Sequence, residues 1–284
     1  MTTQGREGYR LVKVNGLSFG VVMRNEAVQG RQTLVLLHGF TGNAIGWGQM
    51  LDELAHSGWR VIALDLLGHG QSDAPSDPER YTIEHCQEDI IGVLRQLGVH
   101  EGEAILLGYS MGGRIALYCA FSGFFRALIL ESASPGLADV TERERRNASD
   151  RQLAASIEQD GVAAFVEHWE HLPLFATQRN MSREQQAALH AQRLNNRASG
   201  LANSLRGVGT GVQPALHNHL PNLNIPVLLI AGQLDPKFCT IAQQMAQALP
   251  QAQLQIVPSA GHTVHLEQPE TFLALVTKFC RQSW

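Results

Sequence analysis

At 284 residues, with 44% hydrophobic and 17% charged side chains, the chain has the makeup of one globular domain with room for an inserted subdomain. A formal net charge of -4 gives no footprint for nucleic acid and excludes it as a partner. No apolar run approaches the roughly 18 residues of a membrane span, and residues 1–8 carry no apolar signal core. These features predict no membrane partner and a cytoplasmic protein, a monomer or small homo-oligomer.

Taken in order, apolar-rich runs at 11–14 and 17–22 flank Asn15-Gly16, the strongest short signal for a hairpin. A continuous apolar strand follows at 33–37 and ends in His38-Gly39-Phe40-Thr41-Gly42. Helical spacing over 47–55 leads to a strand at 61–64, which ends in a second glycine-rich loop, 65–72. A helix is predicted over 81–97, with Thr82 as its N-cap. Next come a strand at 104–107, a helix at 114–120 and a strand at 127–130. From 135 to about 214 the rhythm breaks into an Arg-, Glu- and Gln-rich stretch with helical spacing and no convincing strand. Strands at 227–230 and 254–257 and a helix at 269–280 close the chain. The alternation predicts an α/β fold with a mostly parallel, doubly wound sheet, its core in 1–135 and 215–284 and an inserted helical cap at 136–214. Cys86, Cys119, Cys239 and Cys280 show no C-x-x-C spacing, and three of them fall in helical patterns. Core thiols are expected, with no disulfide and no metal.

The chemistry centres on Gly108-Tyr109-Ser110-Met111-Gly112, where a strand gives way to a helix at a serine framed by glycines. Such a turn strains its central residue and needs small neighbours two positions away. Ser110 is therefore the candidate nucleophile. Serine requires a base held by a third group. Asp235 lies just past the 227–230 strand and His262 past the next one, in the order Ser, Asp, His that suits this architecture. Glu131 is the alternative acid and His265 the nearest competing histidine, whereas Asp65 ends a strand too early. The backbone amides of Met111 and Phe40 are the expected oxyanion hole.

Arg114 lies one helical turn beyond Ser110, so it faces the same side near a helix N-terminus, where a cation conflicts with the dipole unless it binds an anion. Arg146 and Arg193 in the cap join it, and together they suggest a small-molecule polycarboxylate substrate. His38-Gly39-Phe40, the serine pentapeptide, Asp235 and His262 resemble the α/β-hydrolase superfamily across essentially the whole chain. Within it, several stretches resemble the 2-succinyl-6-hydroxy-2,4-cyclohexadiene-1-carboxylate synthases of menaquinone biosynthesis. They are Gly108 through Arg114, Ser134-Pro135-Gly136-Leu137 with Arg146 and Asp150, Trp169 with Leu172-Pro173-Leu174-Phe175, Arg193-Leu194-Asn195-Asn196, and Asp235-Pro236-Lys237-Phe238. The N-terminal hairpin departs from shorter members. The resemblance implies that Tyr109, Arg114, Arg146, Trp169 and Arg193 hold the substrate's carboxylates and succinyl group, with Lys237 near the mouth. It also implies a cofactor-free elimination: a proton alpha to a carbonyl is removed and pyruvate is expelled from an enolpyruvyl ether. Two other readings remain at this stage, a serine hydrolase of esters or carbon-carbon bonds and a ligand-binding receptor that kept the fold.

Overall fold

The computed structural model describes residues 8–26 and 32–284. The opening residues 1–7, read above for a signal core, lie outside that span. All eight predicted strands are present: β1 Tyr9–Val14, β2 Leu17–Arg24, β3 Thr33–Leu37, β4 Arg60–Leu64, β5 Ala104–Tyr109, β6 Ala127–Glu131, β7 Val227–Gly232 and β8 Ala252–Val257. They form one sheet in the order β1-β2-β4-β3-β5-β6-β7-β8. β1 and β2 are antiparallel about Asn15 and Gly16, whose φ values of 51° and 79° are those a two-residue Asn-Gly turn demands. β2 joins β4 antiparallel, and the pairings from β4 through β8 are parallel.

The central strands are unbroken apolar runs because helices cover both faces. Alternate residues divide between two cores. Leu34, Leu36, Ile105 and Leu107 meet α1 (Gln49–His56) and α9 (Pro269–Gln282). Val35, Leu37, Leu106 and Leu128 meet α2 (Ile83–Gln96), α3 (Met111–Ala120) and α7 (Pro236–Ala248). β8 begins two residues before the predicted strand. As an edge strand it turns the exposed Gln253 and Gln255 to solvent.

Several predicted boundaries move. The helix expected over 47–55 is present from Gln49 as α1, and Gly48, at a φ of 53°, separates it from a 3-10 turn, Ala44–Trp47, that takes in Trp47. The 81–97 helix likewise divides into a 3-10 turn, Pro78–Tyr81, and α2; Thr82 is its N-cap, but the hydroxyl makes no capping bond. α3 starts at Met111 and not at 114, since Gly112 and Gly113 serve close packing there and do not break the helix. The four thiols are free and all lie in helices; Cys239, half-buried, donates to the Gly232 carbonyl at 3.1 Å.

Between β6 and β7 every regular element is helical: α4 (Val140–Glu170), a 3-10 stretch (Pro173–Asn180), α5 (Arg183–Leu194), α6 (Ala198–Val208) and a second 3-10 stretch (His217–Asn222). α4 bends at Gly161, whose φ of 84° and ψ of 169° interrupt it. These helices bury a small core of their own, including Ile157, Phe165, Val166, Leu201 and Leu205. Phe40 packs against both this core and the main one. No helix among the described residues is long and apolar enough to cross a membrane. The short turn α8 (Val264–Glu267) precedes α9.

Candidate active site

Ser110 sits between β5 and α3 at φ 52° and ψ -110°, a region that strains any residue with a side chain. Its neighbours explain how the turn is held. A Cβ on Gly108 would lie 2.4 Å from the Gly112 carbonyl oxygen, and one on Gly112 would lie 2.4 Å from the carbonyl oxygens of Leu37 and His38. The Ser110 amide donates to the Glu131 carbonyl at 2.9 Å. Across the strand ends, His262 Nε2 lies 3.0 Å from Ser110 Oγ, and His262 Nδ1 lies 2.7 Å from Asp235 Oδ2. The other oxygen of Asp235 caps α7 by accepting the Phe238 amide. A carboxylate beside Nδ1 fixes the proton there and leaves Nε2 free to accept from Ser110. The competing acid and histidine are bonded to each other instead: Glu131, fully buried, accepts from the His265 amide at 2.9 Å and faces His265 Nδ1 at 2.8 Å.

Phe40 and Met111 both line the cavity above Ser110. Met111 opens α3, so its amide has no carbonyl of a preceding helical turn to serve. The loop carrying Phe40 is braced from below. His38 accepts the Leu66 amide at Nε2 and faces the Gly39 carbonyl through Nδ1, 2.8 Å away. Burial and the neighbouring His69 push its pKa down to about 3, so it is neutral. His69 is likewise lowered, to about 4, chiefly by burial. Asp65 is the hub of these loops. It accepts the amides of Ala44 (2.6 Å) and Gln71 (2.7 Å), and burial raises its pKa to about 6.

The cavity, about 610 Å³, lies between the strand ends and the inserted helices. Tyr109, Arg114, Arg146, Trp169, Arg193 and Lys237 all line it, but they are not equally free. Arg114 is half-buried, donates to the Val208 carbonyl and the Gln213 side chain, and has no carboxylate within ion-pair distance among the described residues. Burial, then the like charge of Arg146, lower its pKa to about 10, which still leaves it charged near neutrality. Arg146 pairs with Asp150 at 2.7 Å, and the second Asp150 oxygen is buried without a partner. Trp169 stacks among Phe40, Phe165 and Phe175, with its Nε1 unpartnered. Lys237 stands 5.8 Å from the Phe238 ring. Two of the six have side-chain partners within the protein that bear on the site. Arg193 is committed to Glu170 and to Gln178, each at 3.0 Å, and the Tyr109 hydroxyl lies 3.4 Å from Thr263 Oγ1.

Sequence reasoning missed Gln178, Gln213, Thr263 and Glu267. Gln178 and Gln213 are amides in an Arg- and Gln-rich stretch with nothing to mark them, and their partners lie 85 and 99 residues away in the chain. Thr263 and Glu267 could have been found from their place beside His262: Glu267 accepts the Gly261 and Thr263 amides, the two that flank the histidine. No group of three or more His, Cys, Asp or Glu placed to hold a metal occurs among the described residues.

The α/β-hydrolase fold model matches residues 32–269. A Serratia proteamaculans (strain 568) 2-succinyl-6-hydroxy-2,4-cyclohexadiene-1-carboxylate synthase is 34% identical over 93% of this chain and 98% of its own. A Bacillus subtilis (strain 168) protein, whose name assigns that activity provisionally, is 42% identical over 93% of this chain and 95% of its own. Among solved structures, MenH from S. aureus superposes with a TM-score of 0.88 at 32% identity, covering 93% of this chain and 98% of that one. Strand order, the serine turn and these full-length matches place the chain in the α/β-hydrolase family and, within it, among the 2-succinyl-6-hydroxy-2,4-cyclohexadiene-1-carboxylate synthases.

Proposed function

We propose that the protein is a carbon-oxygen lyase of menaquinone biosynthesis that eliminates pyruvate from 2-succinyl-5-enolpyruvyl-6-hydroxy-3-cyclohexene-1-carboxylate to give 2-succinyl-6-hydroxy-2,4-cyclohexadiene-1-carboxylate. The observation that carries this reading, beside the relatives' names, is Arg114. The half-buried guanidinium lines the cavity, its hydrogen-bond partners are neutral oxygens, and of its charged neighbours Arg146 repels it while Asp150 is already paired with Arg146, so an anion entering the cavity completes its pairing. A polycarboxylate does so, and a simple ester does not.

In the proposed mechanism His262 Nε2 accepts the Ser110 proton while Asp235 stabilises the imidazolium, and Ser110 Oγ removes the proton alpha to the substrate carbonyl. The amides of Phe40 and Met111 hold the enolate-like oxygen, each such donor being worth roughly 2.7 to 4 kcal/mol in the transition state. Electrons then flow through the ring, the carbon-oxygen bond breaks, and the departing enolpyruvate takes up the proton held on the His262 imidazolium to become pyruvate, which restores the triad. The chain's own groups supply every step, so the reading needs no cofactor. It includes the cytoplasmic setting and the monomer or small oligomer expected from the sequence.

The test is pyruvate release from the enolpyruvyl substrate, followed through a coupled lactate dehydrogenase. Wild type should turn over, and Ser110→Ala should lose several orders of magnitude while keeping its melting temperature. Absence of pyruvate with wild type, or a near-normal rate with Ser110→Ala, refutes the proposal.

A further inference from the structure

The Thr263 hydroxyl occupies a place that the elimination chemistry does not use. It is buried, it belongs to the residue after His262, and it lies 3.4 Å from the hydroxyl of Tyr109, the residue before Ser110. One oxygen therefore touches the chain neighbours of both the nucleophile and its base. Its firmest partner comes from the inserted helices: Gln178 Nε2 donates to it at 2.8 Å. The carbonyl end of the same amide is gripped by Arg193 at 3.0 Å, and Arg193 is held in turn by Glu170 at 3.0 Å. Because a guanidinium only donates, Arg193 fixes which end of the Gln178 amide faces Thr263. One residue earlier, Thr177 Oγ1 fills the space that a Cβ on Gly261 would need, so the same 3-10 stretch touches both residues that flank His262.

We propose that Gln178 and Thr263 are positioning residues, and that Glu170, Arg193, Gln178 and Thr263 form one arm by which the inserted helices set His262 against Ser110. Arg193 then acts through Gln178 as well as on any substrate carboxylate. The two roles separate cleanly: a pure carboxylate clamp has no influence on a neutral reagent, whereas a positioning arm governs the triad whatever ligand arrives. The inference rests on the Ser110, His262 and Asp235 reading given above, not on the identity of the substrate.

The experiment measures the second-order rate at which a neutral alkyl fluorophosphonate labels the full-length protein. Ser110 Oγ displaces fluoride in that reaction as His262 takes its proton. Gln178→Leu, Thr263→Val and Arg193→Met should each label about three- to tenfold more slowly, the range set by loss of one hydrogen bond. The Gln178→Leu/Thr263→Val double variant should be no slower than its slower single, because both break the same contact. Thr263→Ser, which keeps the hydroxyl, should label at close to the wild-type rate. Rates are taken well below each variant's melting transition, so that a loss of stability does not imitate a loss of positioning. Labelling of Gln178→Leu and Thr263→Val at the wild-type rate overturns the proposal, as do multiplying losses in the double variant or a Thr263→Ser as slow as Thr263→Val. Undiminished labelling of Ser110→Ala would instead remove the triad reading, and the arm with it.

Discussion

Arg114 separates the lyase from an ester hydrolase built on the same triad. An arginine held only by structure would be paired to an acid, and none lies within ion-pair distance of it among the described residues. If a substrate carboxylate is its missing partner, Arg114→Ala removes a charge-assisted contact of roughly 1.5 to 3 kcal/mol, about ten- to a hundredfold in turnover of the enolpyruvyl substrate. Arg114→Lys should recover part of that loss, since lysine keeps the charge without the planar fork. Hydrolysis of a neutral activated ester should hardly change in either variant. Equal losses on the two substrates would show that the guanidinium only supports the helix around it.

At the scale of elements, the strand ends decide which acid serves His262. Asp235 leaves β7 on a loop that Gly232 allows to approach closely: a Cβ there would lie 2.0 Å from the Gly261 carbonyl oxygen. Glu131 ends β6 facing His265, which is wedged between Trp47 and Tyr109 with ring centroids 4.6 and 4.9 Å away. Asp235→Asn should therefore reduce turnover by orders of magnitude with little change in melting. Glu131→Gln should lower the melting temperature by several degrees, because it weakens a buried pair, and leave most of the turnover. The reverse pattern would make Glu131 the acid. Both candidates were visible in the sequence because each ends a buried parallel strand, and such strands are easily read as apolar runs stopped by glycine or a polar residue. What stayed hidden was the choice between them, which depends on where His265 lands. The start of α3 was misplaced for a related reason. Gly112 and Gly113 look like loop residues until Leu37 and Ala133 are seen pressed against them. The predicted cap arginines were found as residues but not as contacts, since charge along a helix does not say whether Glu170 or a ligand will neutralise Arg193.

The molecule as a whole should lose stability on acidification, and the loops under the cavity account for part of the slope. His38 and His69 have folded pKa values lowered to about 3 and about 4, so between those values and the unfolded value near 6.5 only the unfolded chain takes up their protons. A group with a lowered folded pKa contributes stability that is present above its unfolded pKa and is lost as pH falls. Asp65 opposes them. Its folded pKa of about 6 means that the folded chain takes up a proton there first, a contribution present at low pH and lost as pH rises through 6. Near pH 5 two unfolded histidines against one folded aspartic acid leave about one extra proton on the unfolded chain, so stability falls with pH. Urea midpoints measured at pH 7.5, 6 and 5 should decline more steeply for wild type than for His69→Gln, which has no proton to gain. Parallel declines would remove His69 from the account.

The backbone at Ser110 has a consequence for lineages that no longer need the reaction. Its left-handed φ costs a serine about 1 kcal/mol more than a glycine, even after allowing for glycine's greater freedom in the unfolded chain. Glycine at position 110 would thus give a protein that cannot turn over and yet outlasts the working one on heating. A population screened only for soluble, long-lived protein should accumulate that substitution by drift, and a homologue with glycine at this position would record a lost demand for the activity and not a damaged fold.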